Sequence, residues 1–403
     1  MKKHLKRPFF IIPMLAVLLI PAAFALYVSR PEPRCIDCNV ILILLDALRA
    51  DHLGCYGYER DTSPHIDSMA LESIVFDNAV SQSAWTVPAV ASMWTGLLPS
   101  RHRMLYFKNH GKLSKKLPTL AGIMKKNGYE TVSYNGAGFV SGKLGLGAGF
   151  DIYESRSDRF RKNIDASVEW IKKNQGSRFF LFLHGYDIHR PYDMKDYNIF
   201  YDYKGEYNVR HFCVKNAPEV KTDEDLKYVV SQYDAGIRYV DHLMGEFFEL
   251  LRSEGLLDNT ILIITSDHGD EFYEHGNCDH IKSVYEELIH VPLIIRIPGF
   301  RAVRIQQQVP ASTGILPTVL GMVGIEDEAA IERNNLLQFL TKRSFSIPFV
   351  VSETGWSFKG RGRKYWRCVR TGKWKQVYFK NVRGQESYEL YDMVNDPGEK
   401  KNV

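Results

Sequence analysis

Asn39-Val-Ile-Leu-Ile-Leu-Leu45 is the stretch that decides the fold, because every side chain after its first residue is apolar. Thr260-Ile-Leu-Ile-Ile-Thr265 is a second run of this kind, and two more near-continuous runs lie at 178–183 and 291–297. Such runs are typical of strands in a parallel sheet that helices cover on both faces. The sequence therefore predicts an α/β/α sandwich with a mostly parallel central sheet.

Amphipathic helices separate these runs, and the clearest is predicted at 234–255, where apolar residues recur every three or four positions. After about residue 340 the pattern changes to short strands separated by glycine turns, at 349–353, 365–370 and 376–380. We therefore expect one large domain at 38–340 and a small antiparallel C-terminal subdomain at 341–403.

The composition is that of a globular protein. The 403 residues are 45% hydrophobic and 25% charged, which excludes disordered, collagen-like and small disulfide-rich chains. The formal net charge is +5, but Lys2, Lys3, Lys6 and Arg7 supply four of these charges, so the chain without residues 1–25 carries 5 − 4 = +1. A net charge this close to zero gives no support for a nucleic-acid partner.

The N-terminus predicts export to the periplasm or another extracytoplasmic compartment. A basic segment precedes the charge-free apolar run Pro8–Val28, and Ala23-Phe24-Ala25 has the small-x-small pattern of a signal peptidase site. Residues 1–25 are thus a signal peptide or an uncleaved membrane anchor, since about 20 apolar residues can span a bilayer. A membrane is a partner only in the second case.

Six cysteines are an even number, which in an exported protein is compatible with disulfides. Cys35 and Cys38 have the spacing of a redox or metal motif, but the sequence has no second pair to complete a zinc site. A local disulfide or two idle thiols is the favoured interpretation.

Polar side chains follow two of the predicted strands at the point where each strand ends. Asp46 comes directly after the apolar run 39–45, and Asp267 and His268 come just after the run 260–265. Ligands of open α/β sheets bind beyond these carboxyl ends, and carboxylates with an imidazole suit a divalent metal ion. Thr86 stands two residues before Pro88, at a predicted helix start, where free N–H groups favour a phosphoryl or sulfuryl oxygen.

Several segments in the same order resemble the sulfatase family, which belongs to the alkaline phosphatase superfamily. They are Leu44-Leu-Asp46 to Gly57, Thr86-x-Pro88 with Thr95-Gly96, Phe182-Leu-His184-x-x-Asp187-x-His189, Thr265-Ser-Asp267-His268-Gly269, Tyr285-Glu-Glu to Pro292 and the ending Glu389 to Asn402. The resemblance covers residues 38 to about 325 and the tail. It implies an alkaline phosphatase-like sandwich that holds a metal ion and acts on an anionic ester.

Some positions depart from the sulfatase pattern. Sulfatases convert a Cys or Ser in a C/S-x-P-x-R motif to formylglycine, but Thr86 and Val90 occupy the Cys and Arg positions here. Gly136 and Gly138 stand where the family has a Lys and a His, and Ala47 replaces a second Asp. The pattern is instead similar to the superfamily's threonine-nucleophile branch of phosphodiesterases and phosphotransferases.

The resemblance assigns roles to particular residues. Asp46, Thr86, Asp267 and His268 are expected to hold one divalent ion, with Mn²⁺ or Zn²⁺ favoured over Ca²⁺. A second ion is left open, with Asp187, His184 or His189, and His280 as its ligands. The expected catalytic residues are Thr86, His189 and His280, and the expected substrate-binding residues are His184, Lys282 and Asn135.

Three functions remain open from the sequence. The favoured one is an exported, metal-dependent hydrolase or transferase that acts on phosphodiester-type substrates through a covalent intermediate on Thr86. The alternatives are a sulfuric ester hydrolase without formylglycine and a catalytically lapsed envelope protein. In each active case the partner is an anionic ester. Basic and aromatic residues alternate over 354–385, which fits a lipid or glycan headgroup on that ester, but a solvated strand face is the default interpretation of such a run.

Overall fold

The computed structural model describes residues 33–403 apart from 109–110, 137, 157–158, 175, 328–334, 343 and 359–361. The predicted signal peptide or anchor at 1–25 lies outside the described residues. Within the described part of the chain, no helix combines the length and the apolar character needed to cross a membrane.

Two sheets contain most of the strands. The strands are β1 (Asn39–Leu45), β2 (Ile74–Val80), β3 (Tyr106–Phe107), β4 (Glu130–Asn135), β5 (Ile152–Ser155), β6 (Phe179–Gly185), β7 (Thr260–Thr265), β8 (Glu271–Phe272), β9 (Cys278–Asp279), β10 (Leu293–Arg296), β11 (Val303–Pro310), β12 (Val350–Phe358), β13 (Gly362–Arg370), β14 (Trp374–Lys380) and β15 (Glu386–Asp392). The larger sheet has the order β11-β2-β10-β7-β1-β6-β4-β5, and the smaller one has the order β15-β14-β13-β12-β3.

Helices cover the larger sheet on both faces. They are α1 (Pro64–Ala70), α2 (Thr86–Thr95), α3 (Pro99–His102), α4 (Leu120–Lys126), α5 (Phe160–Lys173), α6 (Asp223–Ser253), α7 (Glu286–Ile289), α8 (Ala311–Met322) and α9 (Gln338–Thr341). The central strand β1 is fully buried, and its alternate residues enter different cores: Leu42 packs with the α2 and α8 side, and Ile43 with the α6 side. The predicted α/β/α sandwich is therefore confirmed.

The strand β1 pairs in parallel with β6 and β7, as expected for its apolar run. The expectation is wrong for β10, which runs antiparallel to both β7 and β2. A short connection suffices between antiparallel neighbours, whereas a parallel crossover needs a dozen or more residues and usually a long helix. The only helix in the segment 266–292 between β7 and β10 is the four-residue α7. An apolar run indicates that a strand is buried, but it does not indicate whether the strand runs parallel or antiparallel to its neighbours.

The long helix α6 begins earlier than the predicted residue 234. It starts at Asp223, because Thr222 accepts a hydrogen bond from Asp225 N while the Asp225 side chain accepts from Thr222 N, which is a complete capping box. Its first turn is polar, and this is why a search for apolar periodicity alone finds only the later part.

The C-terminal strands β12 to β15 form an antiparallel sheet, and β3 joins it in parallel beside β12. This sheet is tied to the main body through Glu353 N, which donates to Gln82 O at 2.9 Å. Two disulfides are formed, Cys35–Cys38 and Cys213–Cys278, while Cys55 and Cys368 are free thiols.

Candidate active site and metal centre

The candidate site lies where β1 and β7 end and α2 begins. Asp46 follows β1, and Asp267 and His268 follow β7, so the parallel pairing of the two strands brings these side chains to one edge of the sheet. The helix α2 begins at Thr86 because Trp85 is still extended, with φ −167° and ψ 160°, and Pro88 occupies its first turn. All four side chains of the expected ligand set are buried.

His268 lies at the centre of this group. Its Nε2 atom is 3.3 Å from Thr86 Oγ1, 3.6 Å from Asp46 Oδ1 and 3.4 Å from Asp267 Oδ2. Its Nδ1 atom donates to the carbonyl oxygen of Gly269 at 2.9 Å. In the neutral ring the lone pair is therefore on Nε2, the atom that faces the carboxylates.

Two carboxylate oxygens at this point have no hydrogen-bond partner among the described residues. They are Asp46 Oδ1 and Asp267 Oδ2, and both face His268 Nε2. One ligand atom each from Asp46, Asp267 and His268 lies within 4.8 Å of the others. Two buried, unpaired carboxylate oxygens are costly without a compensating positive charge, so the donor set fits a divalent cation.

The two carboxylates have opposite pKa shifts. Burial alone raises the pKa of Asp46, but the hydrogen bond from His184 and the neighbouring imidazoles outweigh it and hold this pKa below its usual range. Burial and the negative charge of Asp46 raise the pKa of Asp267. Without a cation, one proton is thus retained more readily on Asp267 than on Asp46.

His184 holds Asp46 in place. Its Nε2 lies 3.1 Å from Asp46 Oδ2, and its Nδ1 accepts from Gly136 N at 3.2 Å. A Cβ atom on Gly136 would lie 3.2 Å from that Nδ1 and 3.0 Å from Tyr186 Cβ. The close approach of the backbone to His184 therefore explains why a glycine stands at this position. Contact of His184 with substrate stays a prediction.

His280 is enclosed by two carboxylates that the sequence analysis did not single out. Its Nδ1 lies 2.7 Å from Asp270 Oδ1 and 2.7 Å from Asp279 Oδ1. Asp270 precedes β8 and His280 follows β9, so the antiparallel hairpin of these two strands sets them opposite each other. Burial alone lowers the pKa of His280, but Asp279 and Asp270 together raise it well above its usual value. His280 is therefore a buried cation beside His268, with ring centroids 4.3 Å apart.

His189 has the opposite character. It stacks on Tyr186 with a centroid distance of 4.4 Å, and its Nδ1 donates to Arg190 O at 2.8 Å. Burial lowers the pKa of His189, with the charge of His280 adding to this effect. The ring centroids of His189 and His280 lie 5.1 Å apart, so both expected catalytic histidines are at the site. His280 is the better proton donor of the two, because its pKa is raised and that of His189 is lowered.

The remaining expected residues are engaged with the protein. Lys282 Nζ donates to Cys278 O at 2.7 Å, and the Asn135 amide bonds to Ser133 and Ser155. Asp187 accepts from Phe160 N at 2.6 Å and so is directed to the start of α5. The substrate contacts of Lys282 and Asn135 stay predictions. Among the described residues, the second group able to hold an ion is His268, Asp270 and His280, which does not include Asp187.

Comparisons with known proteins identify the family of this chain. The family model described as Sulfatase matches residues 38–325, and the model described as N-sulphoglucosamine sulphohydrolase, C-terminal, matches residues 273–403. Arylsulfatase K of Mus musculus is 24% identical, with 96% of this chain and 81% of that protein covered. The Delta 4,5-hexuronate-2-O-sulfatase of Bacteroides thetaiotaomicron is 23% identical, with 91% and 84% covered.

Solved structures show the same fold. A protein in complex with its substrate D-glucosamine-2-N,6-O-disulfate superposes with a TM-score of 0.74 at 20% identity, covering 91% of this chain and 93% of that one. The phosphonate monoester hydrolase of Agrobacterium radiobacter gives a TM-score of 0.69 at 19% identity, with 91% of each chain covered. Because the first family model alone covers well over half of the sequence, the chain belongs to the sulfatase family.

Proposed function

We propose that this chain hydrolyses a sulfuric ester carried by an anionic glycan, at the site formed by Thr86, His268 and His280. The observation that carries the proposal is the position of the Thr86 hydroxyl at a helix start. It lies 3.3 Å from His268 Nε2, the atom that the Asp46 and Asp267 oxygens left without a partner among the described residues also face. Supporting it, the curated relatives described above are an arylsulfatase and a hexuronate sulfatase, and they cover more than nine-tenths of the chain.

A metal ion is part of the proposal because the sulfatase family is metal-dependent and the site fits one. Asp46, Asp267, His268 and the Thr86 hydroxyl would hold it. When bound, a divalent ion would draw electron density from the ester oxygens and make a nearby hydroxyl more acidic. A donor set with an imidazole nitrogen and only two carboxylates favours Mn²⁺ or Zn²⁺ over Ca²⁺.

The protein groups perform the remaining steps. Thr86 Oγ1 attacks the sulfur atom and its proton passes to water, because His268 Nε2, which lies 3.3 Å away, would serve as a ligand of the ion. The bond from sulfur to the leaving oxygen breaks, and His280, held protonated by Asp270 and Asp279, gives that oxygen a proton. The free N–H groups at the start of α2 stabilise negative charge on the outer oxygens. A water molecule then attacks the sulfur atom, the bond from sulfur to Thr86 Oγ1 breaks, and Oγ1 takes up a proton as sulfate leaves.

A phosphodiester substrate is the second candidate, because the nucleophile position is a threonine. Thr86 and Val90 replace the Cys or Ser and the Arg of the formylglycine motif, and Gly136 replaces the lysine that grips sulfate. The likeness to a phosphonate monoester hydrolase adds support for chemistry at phosphorus. The same covalent route through Thr86 applies, with phosphorus in place of sulfur.

One assay decides between the candidates. Purified protein is stripped with a chelator, reloaded with Mn²⁺, Zn²⁺ or Ca²⁺, and given 4-nitrophenyl sulfate, bis(4-nitrophenyl) phosphate and glucosamine-2-N,6-O-disulfate. We expect the sulfate esters to be turned over faster, with Mn²⁺ or Zn²⁺ most effective. Faster cleavage of the phosphodiester selects the second candidate, and no turnover of any ester with any metal rejects both.

Export from the cytoplasm belongs to the same proposal. Disulfides persist in oxidising compartments, and two of them are formed in the described part of the chain. Fractionation of cells that express the full chain tests this. Recovery from the cytosol with Cys213 and Cys278 as free thiols contradicts it.

A further inference from the structure

The hairpin that precedes His280 is a weak element by itself. Its two strands, Glu271–Phe272 and Cys278–Asp279, have only two residues each. Two-stranded hairpins without further packing are marginally stable in water even when they are longer. The position of His280 therefore depends on contacts between this hairpin and the rest of the protein.

The backbone on both sides of His280 is strained. Asp279 has a φ of 70° and Ile281 has a φ of 78°, which places both residues in the left-handed region. This conformation is an outlier for a β-branched residue such as isoleucine, and it persists only where the surrounding structure enforces it. Ile281 N donates to Ala84 O at 3.0 Å, which holds the backbone after His280. The backbone before His280 must be held by another element.

That element is the segment 186–222, which joins β6 to α6 and contacts the hairpin. Arg190 pairs with Asp279 at 2.8 Å, and the Tyr192 hydroxyl donates to Asp270 Oδ2 at 2.5 Å. Both carboxylates also contact the imidazole of the proposed proton donor. The surroundings of that imidazole are thus built jointly by the hairpin and by this segment.

The segment 186–222 has little regular structure of its own. Its backbone is described throughout, and within it the structure forms only two 3₁₀ turns, Lys195–Tyr197 and Val209–His211. A connection this long without strands or longer helices needs anchors to keep one conformation. The disulfide between Cys213 and Cys278 is a covalent anchor from this segment to the hairpin.

This disulfide lies close to His280 along the chain and is open to chemical attack. Cys278 comes two residues before His280, and both Cys213 and Cys278 are only half-buried. Beside the bond, the ring of Phe212 packs on that of Phe272, with centroids 5.9 Å apart. A small reductant can therefore break the bond while the aromatic contact stays in place.

We propose that the Cys213–Cys278 disulfide is a positioning element for catalysis, which holds the hairpin so that His280 reaches the leaving oxygen of the ester. The inference rests on the proposed function and adds Cys213 and Cys278 as positioning residues that act through His280. Without the bond the strained turn relaxes and the leaving oxygen loses its proton donor, while attack by Thr86 continues. The loss is greatest for a leaving group that departs poorly without a proton.

The first test compares two esters in two double variants. Cys213→Ser/Cys278→Ser removes the proposed positioning bond, and the matched control Cys35→Ser/Cys38→Ser removes the other disulfide, ahead of β1. The readout is kcat/KM for phenyl sulfate, a poor leaving group, divided by kcat/KM for 4-nitrophenyl sulfate, a good one. If phosphodiesters prove the better substrates, the same two aryl groups are compared on phosphorus.

We expect this ratio to fall about 10- to 100-fold in Cys213→Ser/Cys278→Ser, as for a misplaced general acid, and to stay within about twofold of the wild type in the control. A bond that only stabilises the fold would lower both rate constants equally. Equal losses on the two esters therefore overturn the proposal.

Reduction of the folded protein covers the case in which Cys213→Ser/Cys278→Ser does not fold. Cys35→Ser/Cys38→Ser is treated with tris(2-carboxyethyl)phosphine, which takes oxygen from water to form its oxide while Cys213 and Cys278 become thiols. The phosphine is removed before Mn²⁺ is added. The ratio should fall as in the double variant and return when the bond is reoxidised. An unchanged ratio in the reduced protein overturns the proposal.

Amide hydrogen exchange separates this result from failure of the proposed function, because it needs no turnover. Peptides within 270–282 should exchange at least about tenfold faster when the Cys213–Cys278 bond is absent, while peptides of β1 stay protected. If the wild-type chain cleaves no ester, this local increase still supports the held hairpin. Equal exchange of 270–282 with and without the bond overturns it.

Discussion

Lys375 Nζ lies 2.7 Å from Glu399 Oε1, and neither side chain is exposed to solvent. The same ammonium group lies 3.1 Å from Glu286, the first residue of α7. This buried ion pair ties the last residues of the chain to β14 and to the segment that precedes β10.

Replacing Lys375 should destabilise the protein strongly. Lys375→Met leaves Glu399 buried without its cation, while Glu286 keeps its contact with Arg370 at 3.1 Å. Removal of one partner from such a buried pair costs about 3–5 kcal/mol. The free energy of unfolding from urea titration measures this. The control Lys373→Met, at an exposed position of the same segment, should change it by less than about 0.5 kcal/mol. A loss below about 1 kcal/mol for Lys375→Met contradicts the prediction.

Acid should weaken the helix that carries Thr86. Burial lowers the pKa of His102 to about 4, and its Nε2 bonds to Pro88 O in the first turn of α2 at 3.2 Å. Because the folded-state pKa lies below the unfolded value of about 6.5, this stability is present above pH 6.5 and is lost as the pH falls toward 4. The shift corresponds to about 3 kcal/mol.

The pH dependence of unfolding in His102→Gln measures this contribution. The wild type should lose about 3 kcal/mol more than the variant between pH 7 and pH 4, while the surface control His242→Gln should follow the wild type. Parallel pH profiles for the wild type and His102→Gln would show that the prediction is wrong.

Thr86→Ala should abolish turnover and leave the fold intact. We expect kcat to fall by about 10³-fold or more, because the attacking hydroxyl is removed, with the melting temperature kept. Thr86→Ser keeps the hydroxyl and should retain measurable activity. Full activity in Thr86→Ala would instead make water the nucleophile.

Thr86→Cys should not acquire formylglycine. The modification motif of sulfatases has an arginine at the position of Val90, which is buried in α2 here. Mass spectrometry of the tryptic peptide should show an unmodified cysteine. An aldehyde at residue 86 refutes the prediction.

Metal binding should stabilise the folded chain through its buried carboxylates. At 100 to 1,000 times the Kd, Mn²⁺ or Zn²⁺ should add about 3–4 kcal/mol to the free energy of unfolding. Asp267→Asn should remove most of this gain, because it takes away one of the two unpartnered oxygens. Asp61→Asn, which alters an exposed pair with Arg238, is the matched control. If the metal ion raises the free energy of unfolding equally in Asp267→Asn and Asp61→Asn, Asp267 is not a metal ligand.

The sequence predicts the meeting of Asp46 and Asp267 because ends of neighbouring parallel strands lie at one edge of a sheet. It does not predict Asp270 and Asp279 beside His280, since that arrangement depends on a hairpin whose two strands, β8 and β9, have only two residues each and therefore no strong strand pattern. The sequence also does not predict that β10 runs antiparallel to its neighbours. A strand that is buried on both faces has the same apolar pattern whether it is parallel or antiparallel. The start of α6 at Thr222 could have been found from its capping residues.

The position of β1 in the sheet also has a consequence during synthesis. It is the first described strand, yet its two neighbours are β6 and β7, and Val40 pairs with Phe180 and Ile261. A ribosome must therefore add more than a hundred residues before either edge of this apolar strand can be covered. Until then the nascent chain exposes a ready template for aggregation, and we expect its yield to depend on chaperones that bind unfolded segments.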